Sequence, residues 1–294
     1  MQKAEQGVSS WPVHFFMPSL RQFLGLAGDA QVRVLGDKLK RLLRTQDERQ
    51  GRMEQEVKKL RQSVERLSSS GAALGGACAG TMSGALKRLH QQGYEVETII
   101  DIGASDGQWT RLAMEWHPRC HYVLVEAQPC HEAALSEFAS GRSNVSVVMA
   151  AAGAAKGEIH FDAADPFGGR ASEKVTSAHD IVVPVTTVDA IMAEKGLGGP
   201  VLIKFDTHGF ETPILQGAHE TLKHTSVIIM ECYNFRIAPE CLLFYEMCSH
   251  LAQHGFRPVE MVDVVHRERD GALWQMDVVF ARQERAEFKH GGYR

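Results

Sequence analysis

Two stretches of the chain carry glycines and carboxylates at a spacing that suits ligand chemistry. The first is the turn Asp101-Ile102-Gly103-Ala104-Ser105-Asp106-Gly107, which follows a short apolar run. The second is Glu126, which directly follows the apolar run Tyr122–Val125 and lies nineteen residues beyond Gly107. If both runs are neighbouring parallel strands, the turn and Glu126 meet at the edge of the sheet where such folds bind ligands.

A dinucleotide is the first ligand to consider for a glycine-rich turn between a strand and a helix. Its site requires the pattern G-x-G-x-x-G, but this chain has Ser105 and Gln108 at the second and third glycine positions. Asp101 and Asp106 would also repel a pyrophosphate. The turn is therefore a poor dinucleotide site.

A nucleophile elbow is the second interpretation, because Gly103-Ala104-Ser105-Asp106-Gly107 matches the G-x-S-x-G of α/β-hydrolases. Later acids and histidines, among them Asp206 and His208, allow the order Ser, Asp, His. The elbow normally follows several strands, whereas only helices and a linker are predicted before residue 98. An esterase that uses Ser105 stays an alternative function.

S-adenosyl-methionine is the third ligand, and it carries an ammonium group and a positive sulfonium. Asp101 would attract this ligand, while Gly103 and Gly107 would let the backbone approach it without a Cβ. The start of the next helix can receive its carboxylate, and Glu126 can accept its ribose hydroxyls. The residues thus favour a methyltransferase. The predicted cofactor-binding residues here are Asp101, Gly103, Ala104, Ser105, Gly107 and Glu126.

Candidate catalytic residues follow the apolar run Val201–Phe205. A hydroxyl is a poor nucleophile until its proton leaves, so a base near it should add about 10²–10⁴-fold to the rate. His208 is the predicted base because histidine ionises near neutrality, and Asp206 is predicted to serve the same acceptor or to contact the cofactor. Glu211 is expected only to cap the next helix.

A metal is the alternative way to ionise a hydroxyl. Asp206, Glu231 and Asn234 offer oxygen ligands of the kind that bind Mg²⁺. The sequence nevertheless favours a site without a metal. A zinc site in the segment 117–131 is also disfavoured, since the apolar run between Cys120 and Cys130 would separate them by roughly 30 Å as a strand.

Strands that alternate with helices must position these residues. Short apolar strands separated by helices are typical of an α/β fold with a mostly parallel sheet covered on both faces. A closing hairpin around Arg269-Asp270-Gly271 should add one antiparallel strand. The predicted strands are Thr98–Ile102, Tyr122–Val125, Val145–Met149, Glu158–Phe161, Ile181–Val185, Val201–Phe205, Val227–Met230, Val259–Val265 and Trp274–Ala281. The predicted helices lie around Leu86, Trp109–Trp116, His131–Phe138, Thr212–Leu222 and Leu242–His254.

The region from Thr98 to Glu231 resembles the FkbM family of S-adenosyl-methionine-dependent methyltransferases. The stretches that carry the resemblance are IIDIGASDGQW, VLVEAQP, AAGAAKGEIHF, VPVTTVDAIM, LIKFDTHGFETPILQGA and VIIMECYNF. Ser105 departs from the Gly or Asn more common at its position. The resemblance implies the seven-stranded, Rossmann-like class I methyltransferase fold and O-methylation of a hydroxyl, often on a sugar or a polyketide-like product. It also implies that Ala151 lies near the adenine.

Domain boundaries follow from composition. Residues 1–80 are predicted to be a helical extension with a coiled-coil-like seam at 31–67 and a linker of mostly Ser, Gly and Ala at 68–80. Residues 81–284 form the predicted methyltransferase domain, and 285–294 a loose polar tail. The seam suits a homo-oligomer or packing on the chain's own domain. A non-catalytic scaffold, with the helix at 31–67 as its working part, is a further alternative.

Composition excludes several classes of protein. The formal net charge of −4 disfavours nucleic acid as a partner, and no apolar run reaches the ~20 residues that span a bilayer. Glu5 and Pro12 argue against a signal peptide. Six cysteines without a C-x-x-C pattern are typical of a reduced, cytoplasmic protein. The acceptor is expected between the segments 162–180 and 233–241.

Overall fold

The computed structural model describes residues 80–239 and 241–292 of the chain. The predicted coiled-coil-like seam at 31–67 and the linker up to residue 79 lie outside the described residues.

A seven-stranded sheet forms the centre of the described region. The strand order is β10-β11-β9-β8-β1-β2-β3, and all neighbours are parallel except β11, which runs antiparallel to both β9 and β10. This order and the single antiparallel strand confirm the predicted fold class. The strands are β1 Thr98–Ile102, β2 His121–Glu126, β3 Val145–Met149, β8 Val201–Phe205, β9 Thr225–Tyr233, β10 Phe256–His266 and β11 Leu273–Arg282.

Helices cover both faces of this sheet, because the central strands are apolar on both sides. All five residues of β1 and of β8 are buried, as expected for parallel strands between two helical layers. Threonine side chains start two of the helices: Thr81 accepts a hydrogen bond from the Gly84 amide, and Thr187 from the Ala190 amide. The helices are α1 Met82–Gln91, α2 Gln108–Trp116, α3 Glu132–Ala139, α4 Val188–Lys195, α5 Glu211–Gln216, α6 His219–His224 and α7 Phe244–Gln253.

A second sheet is inserted between β3 and α4. It has four strands in the order β4-β7-β5-β6, with β5 antiparallel to both of its neighbours. Its strands are β4 Ala151–Ala152, β5 Gly157–Asp162, β6 Arg170–Ser172 and β7 Asp180–Thr186. The sequence predicted β5 and β7 as short strands but neither β4 nor β6, and it did not separate them from the main sheet.

The single helix predicted at Thr212–Leu222 is wrong. It divides into α5 and α6 at Gly217 and Ala218. A Cβ on Gly217 would overlap the carbonyl oxygen of Gly153, and the Gly217 carbonyl accepts a hydrogen bond from the Asp189 amide at 3.0 Å. Close packing against two other segments therefore interrupts the helix, which local periodicity does not reveal.

The tail is not loose throughout, in contrast to the prediction for 285–294. The guanidinium of Arg285 lies 3.5 Å from the centre of the Tyr94 ring, and the Tyr94 hydroxyl donates to Glu287 at 2.9 Å. These contacts hold the short 3₁₀ helix Ala286–Phe288 against the domain. Among the described residues, no helix has the length and apolar character to cross a membrane.

Candidate active site

A cavity of about 410 Å³ opens where the parallel strands end, within the size range of small-molecule sites. Six of the predicted site residues line it: Gly103, Ser105, Glu126, Ala151, Asp206 and His208. Three others, Asp101, Ala104 and Gly107, are not in its wall. Other residues in the wall are Ile102, Val125, Ala127, Gln128, Ala150, Ala152, Phe161, Pro166, Phe167, Gly169, Ala171, Thr207, Phe210, Ile214, Glu231 and Gln275.

The turn after β1 packs tightly on the end of β8. The amides of Gly103 and Ala104 both donate to the Val125 carbonyl, at 2.9 and 3.2 Å. Gly103 has φ +79°, and a Cβ there would overlap the backbone carbonyl of Asp206. Close packing against the Asp206 backbone, just after β8, therefore by itself requires glycine at 103.

Gly107 also owes its identity to backbone conformation. It precedes α2 with φ +81°, while a Cβ at this position would meet only ordinary contacts with Phe138, Leu124 and Leu135. Ser105 adopts a left-handed φ of +51°, which non-glycine residues seldom do. The positive φ angles in this turn set the direction of the Ser105 amide.

Glu126 lies at the end of β2, is buried and faces the cavity. One carboxylate oxygen accepts from the Ser105 amide at 2.8 Å, and the other accepts from the Gln128 amide at 2.7 Å. Each carboxylate oxygen has two lone pairs, so each retains one acceptor position. Two backbone donors fix the carboxylate and leave it able to accept two ligand hydroxyls.

Asp101 does not reach the cavity, which corrects the prediction that it contacts the cofactor. Side chains alternate along a strand, so Ile102 faces the cavity and Asp101 faces the layer formed by α2. There it is 1 % exposed, and Thr110 donates to it at 2.6 Å. Burial raises the pKa of Asp101, while the Lys204 ammonium 3.7 Å away opposes that rise.

Lys204 links Asp101 to the cavity. Its buried ammonium lies 2.6 Å from one oxygen of Asp206. Burial alone would lower the pKa of Lys204, but the charges of Asp206 and Asp101 raise it above its ordinary value, so the ammonium stays charged. Burial likewise would raise the pKa of Asp206, and the Lys204 charge reverses this and holds it below its usual range. Asp206 is therefore an ionised carboxylate at neutral pH.

His208 lies beside Asp206 in the same turn and has a left-handed φ of +51°. Its Nδ1 is 3.2 Å from the Gly169 carbonyl oxygen. A carbonyl only accepts hydrogen bonds, so Nδ1 carries the proton and Nε2 of the neutral ring has a free lone pair. Nε2 lies 3.6 Å from Asp206 Oδ1 and 3.7 Å from Glu231 Oε2.

Glu231 completes what we call the acid–histidine cluster, defined as Asp206, His208 and Glu231. The Tyr233 hydroxyl donates to Glu231 at 2.6 Å, and the Gln275 side-chain amide donates to its other oxygen. Burial, followed by the negative charge of Asp206, raises the pKa of Glu231 to about 8. The sequence placed Glu231 after a strand, but its partners come from β9 and β11, which no local pattern brings together.

The acid–histidine cluster is also the one group of metal-ligand type among the described residues, with one ligand atom from each member within 4.8 Å of the others. The predicted magnesium set was Asp206, Glu231 and Asn234. The Asn234 side-chain amide donates to the Leu273 carbonyl at 3.3 Å, which ties it to the start of β11. Two members of the predicted set, Asp206 and Glu231, therefore belong to the cluster together with His208.

One of the two segments predicted to surround the acceptor lines the cavity. Residues 166–171 contribute four residues to its wall, and side chains that follow β2 hold the start of this segment. Gln128 Nε2 donates to the carbonyls of Asp165 and Pro166, and His131 Nε2 lies 2.7 Å from the Pro166 carbonyl. The segment 233–241 is not in the cavity wall over its described part. It lies behind the wall, where the Ile237 carbonyl accepts from Arg170 at 2.8 Å.

In the described part of the chain, the histidine that contacts the Ser105 hydroxyl is His131 and not the predicted His208. The Ser105 hydroxyl is 3.5 Å from His131 Nε2, but that nitrogen donates to the Pro166 carbonyl and so already carries a proton. It cannot accept the proton of a nucleophilic serine.

The family of the chain follows from a comparison with protein-family models. The model described as the methyltransferase FkbM domain matches residues 101–258, more than half of the chain. The chain therefore belongs to the FkbM family of methyltransferases. A search of curated proteins found no match.

Solved structures match part of the chain at low sequence identity and low TM-score. Precorrin-6y C5,15-methyltransferase from Geobacter metallireducens is 13 % identical with a TM-score of 0.38, over 67 % of this chain and 85 % of that one. Sp1610 of Streptococcus pneumoniae, in complex with S-adenosyl-L-methionine, is 10 % identical with a TM-score of 0.38, over 67 % and 72 %. A SAM-dependent methyltransferase from Aquifex aeolicus is 14 % identical with a TM-score of 0.35, over 66 % and 87 %. These likenesses are too weak to carry any conclusion about this chain.

The cavity wall fits the cofactor of this family. Glu126 retains acceptor positions for two hydroxyls, as a ribose requires. The wall near it is apolar and built of small residues around Ala151, flanked by Phe161, which suits a flat aromatic base. No lysine or arginine belongs to the part of the wall that the structure describes, which suits a cationic ligand better than a phosphate.

Proposed function

We propose that the protein transfers the methyl group of S-adenosyl-methionine to a hydroxyl of a sugar, a glycan or a small metabolite. In this proposal Glu126 binds the ribose, the turn at Gly103 and Ser105 lies against the cofactor, and Ala151 lies near the adenine. His208 is the general base, and Asp206 stabilises its protonated form.

The observation that carries the proposal is the hydrogen bond between His208 Nδ1 and the Gly169 carbonyl. It leaves Nε2 as the basic nitrogen, and Nε2 faces two carboxylates inside the cavity of a methyltransferase fold. A histidine held in one tautomer beside carboxylates has the features of a general base, since the carboxylates stabilise the imidazolium that forms.

The cofactor, when bound, supplies an electrophilic methyl group. The chain's own residues then have two tasks: to hold a hydroxyl against His208 Nε2, and to receive its proton there as the new bond forms. Asp206 keeps its charge through Lys204, so it stabilises the imidazolium throughout. Positioning of the two reactants contributes the larger part of the rate.

Asp101, Ala104 and Gly107 have indirect roles in this proposal. Asp101 binds Lys204 and Thr110 beneath the turn, and Ala104 and Gly107 set the course of the backbone between β1 and α2. Each supports the shape of the turn without touching the cofactor.

Two further proposals concern the setting of the reaction. The five described cysteines are free thiols, which supports a reducing compartment, the cytoplasm. We also propose that the segment 31–67 assembles the chain into a homo-oligomer, which size-exclusion chromatography with and without residues 1–80 tests.

The test combines cofactor binding with a methyl-transfer assay on a panel of glycans and hydroxylated metabolites. Wild-type protein should bind S-adenosyl-methionine in calorimetry and methylate a hydroxyl compound. His208→Asn should bind the cofactor with unchanged affinity and lose about 10²–10⁴-fold in turnover. His219→Asn, an exposed histidine outside the cavity, is the matched control. Failure to bind the cofactor, or full turnover in His208→Asn, would contradict the proposal.

A further inference from the structure

Above pH 8, where Glu231 is mostly ionised, the acid–histidine cluster contains more negative than positive charge. Asp206 and Glu231 are two carboxylates in the cavity wall, with side chains 35 % and 12 % exposed, and the buried Asp101 lies beneath them. Among the described residues, Lys204 is the one lysine or arginine in contact with this group, and its ammonium is already shared between Asp206 and Asp101. Glu231 is held by two neutral donors, Tyr233 and Gln275. In the described part of the chain it therefore has no cation in contact while His208 is neutral, and the Lys204 charge acts on it only from a distance.

We propose that Glu231, together with Asp206, makes the cavity selective for positive charge, so that the protein binds S-adenosyl-methionine more tightly than its product S-adenosyl-homocysteine. This inference rests on the proposed function, because it assumes that the cofactor occupies this cavity. The two molecules differ in one methyl group and in the charge on sulfur, which is positive before transfer and neutral after it.

The place of the cluster explains why it would respond to that charge. A hydroxyl that gives its proton to His208 Nε2 must at the same time face the methyl donor. The region where the methyl group is transferred is therefore the region beside His208, and both carboxylates lie less than 4 Å from that nitrogen. The Glu231 side chain is only 12 % exposed, so its charge is screened less than a surface charge.

The charge balance of the reaction gives this arrangement a catalytic purpose. The bond from carbon to sulfur breaks with its electron pair left on sulfur, and a lone pair of the hydroxyl oxygen forms the new bond to carbon. The hydroxyl proton moves to His208 Nε2. One positive charge thus leaves the sulfur and one appears on the imidazole, so Asp206 and Glu231 face a single positive charge before and after the step.

The same charge balance favours replacement of the product S-adenosyl-homocysteine by a new molecule of S-adenosyl-methionine. Once the imidazolium passes its proton to water, the cavity holds a neutral product beside an ionised Glu231, while Asp206 shares the Lys204 ammonium with Asp101. The cationic S-adenosyl-methionine then binds more tightly than the neutral product. The raised pKa of Glu231, caused by burial and by Asp206, supports this view, since an acid with a destabilised anion gains from a nearby cation.

Calorimetry on the full chain tests the inference with three nucleosides. They are S-adenosyl-methionine, S-adenosyl-homocysteine and sinefungin, an analogue with an amine in place of the methylated sulfur. At pH 9, where Glu231 is mostly ionised, wild-type protein should bind the first and the third about tenfold or more tightly than the second, the size expected for one partly screened charge pair. This comparison needs no variant and so does not depend on the folding of a mutant.

Glu231→Gln, which keeps the shape of the side chain and removes its charge, should bring the ratio of the two cofactor affinities toward one. Glu126→Gln is the matched control, because the ribose is common to all three nucleosides: it should weaken all of them and leave the ratio unchanged. Equal or tighter binding of S-adenosyl-homocysteine by wild-type protein, or an unchanged ratio in Glu231→Gln, would overturn the inference alone. Absence of binding by every nucleoside would overturn the proposed function and this inference with it.

Discussion

Glu126 and Glu231 line the same cavity, and the protein holds them in different ways. Their strands, β2 and β9, are three positions apart in the sheet, or roughly 14 Å at the usual strand spacing. Backbone amides fix Glu126, whereas side chains from two strands hold Glu231 next to a second carboxylate. The arrangement around Glu126 suits binding of the ribose, which the reaction does not change. The arrangement around Glu231 suits the region where the positive charge moves from the sulfur to the imidazole.

The largest expected effect concerns the charged network beneath the cluster. Lys204→Met would leave Asp206 and Asp101 without their cation, and removal of one partner of a buried ion pair costs about 3–5 kcal/mol. We expect a loss of this size in the free energy of unfolding, measured by urea denaturation at pH 7.

The control for this prediction is Lys195→Met, an exposed lysine at the end of α4, which should change stability by less than about 0.5 kcal/mol. If the free energy of unfolding of Lys204→Met equalled that of this control, the ion pairs of Lys204 with Asp206 and Asp101 would not stabilise the wall beside Glu231.

The second-largest expected effect concerns Glu126. Glu126→Ala removes the acceptor for two backbone amides and the proposed acceptor for two ribose hydroxyls. Hydrogen bonds to a charged group contribute about 1.5–3 kcal/mol each, so affinity for S-adenosyl-methionine in calorimetry should fall by at least tenfold. Glu158→Ala, an exposed acid on β5, should leave it unchanged. Wild-type affinity in Glu126→Ala would remove this residue from the cofactor site.

The sequence could predict the Glu126 region of the site but not the contacts of the Glu231 region. The acid after VLV in β2 and the glycine-rich turn after β1 are local features, and the sequence predicted both the fold and this part of the site. Asp101 was misplaced because alternation alone does not say which face of a buried strand the cavity adjoins. The contact between Glu231 and Gln275 joins residues 44 positions apart, so no local pattern could reveal it.

A smaller effect is the pH dependence of cofactor binding. An acid whose pKa is about 8 is mostly protonated at pH 7 and mostly ionised at pH 9, and the ionised form attracts a cation. Affinity for S-adenosyl-methionine should therefore rise several-fold, and at most about tenfold, between pH 7 and pH 9. Affinity for the neutral S-adenosyl-homocysteine should stay level.

Other groups face Glu231 and must be separated from it. Asp206, His208 and Lys204 lie on the β8 side, and Tyr233 and Asp277 on β9 and β11. Burial raises the pKa of Asp277 to about 7, against the opposing charge of Lys204. The profile is therefore measured also in Glu231→Gln and in Asp277→Asn. A rise that persists in the first variant and vanishes in the second would assign the effect to Asp277.

The smallest expected effect is that of metal removal. If His208 Nε2 takes the hydroxyl proton, the acid–histidine cluster has no need of a divalent ion, and turnover after treatment with EDTA should equal that of the untreated enzyme. Restoration of lost activity by Mg²⁺ or Mn²⁺ would replace the base by a metal at the same three side chains.

A crystal structure with bound sinefungin tests the central claim most directly. The account predicts that the nucleoside occupies the cavity with both ribose hydroxyls within hydrogen-bonding distance of the Glu126 carboxylate and with its amine on the side of Glu231 and His208. A nucleoside bound elsewhere, or one whose ribose does not contact Glu126, would contradict it.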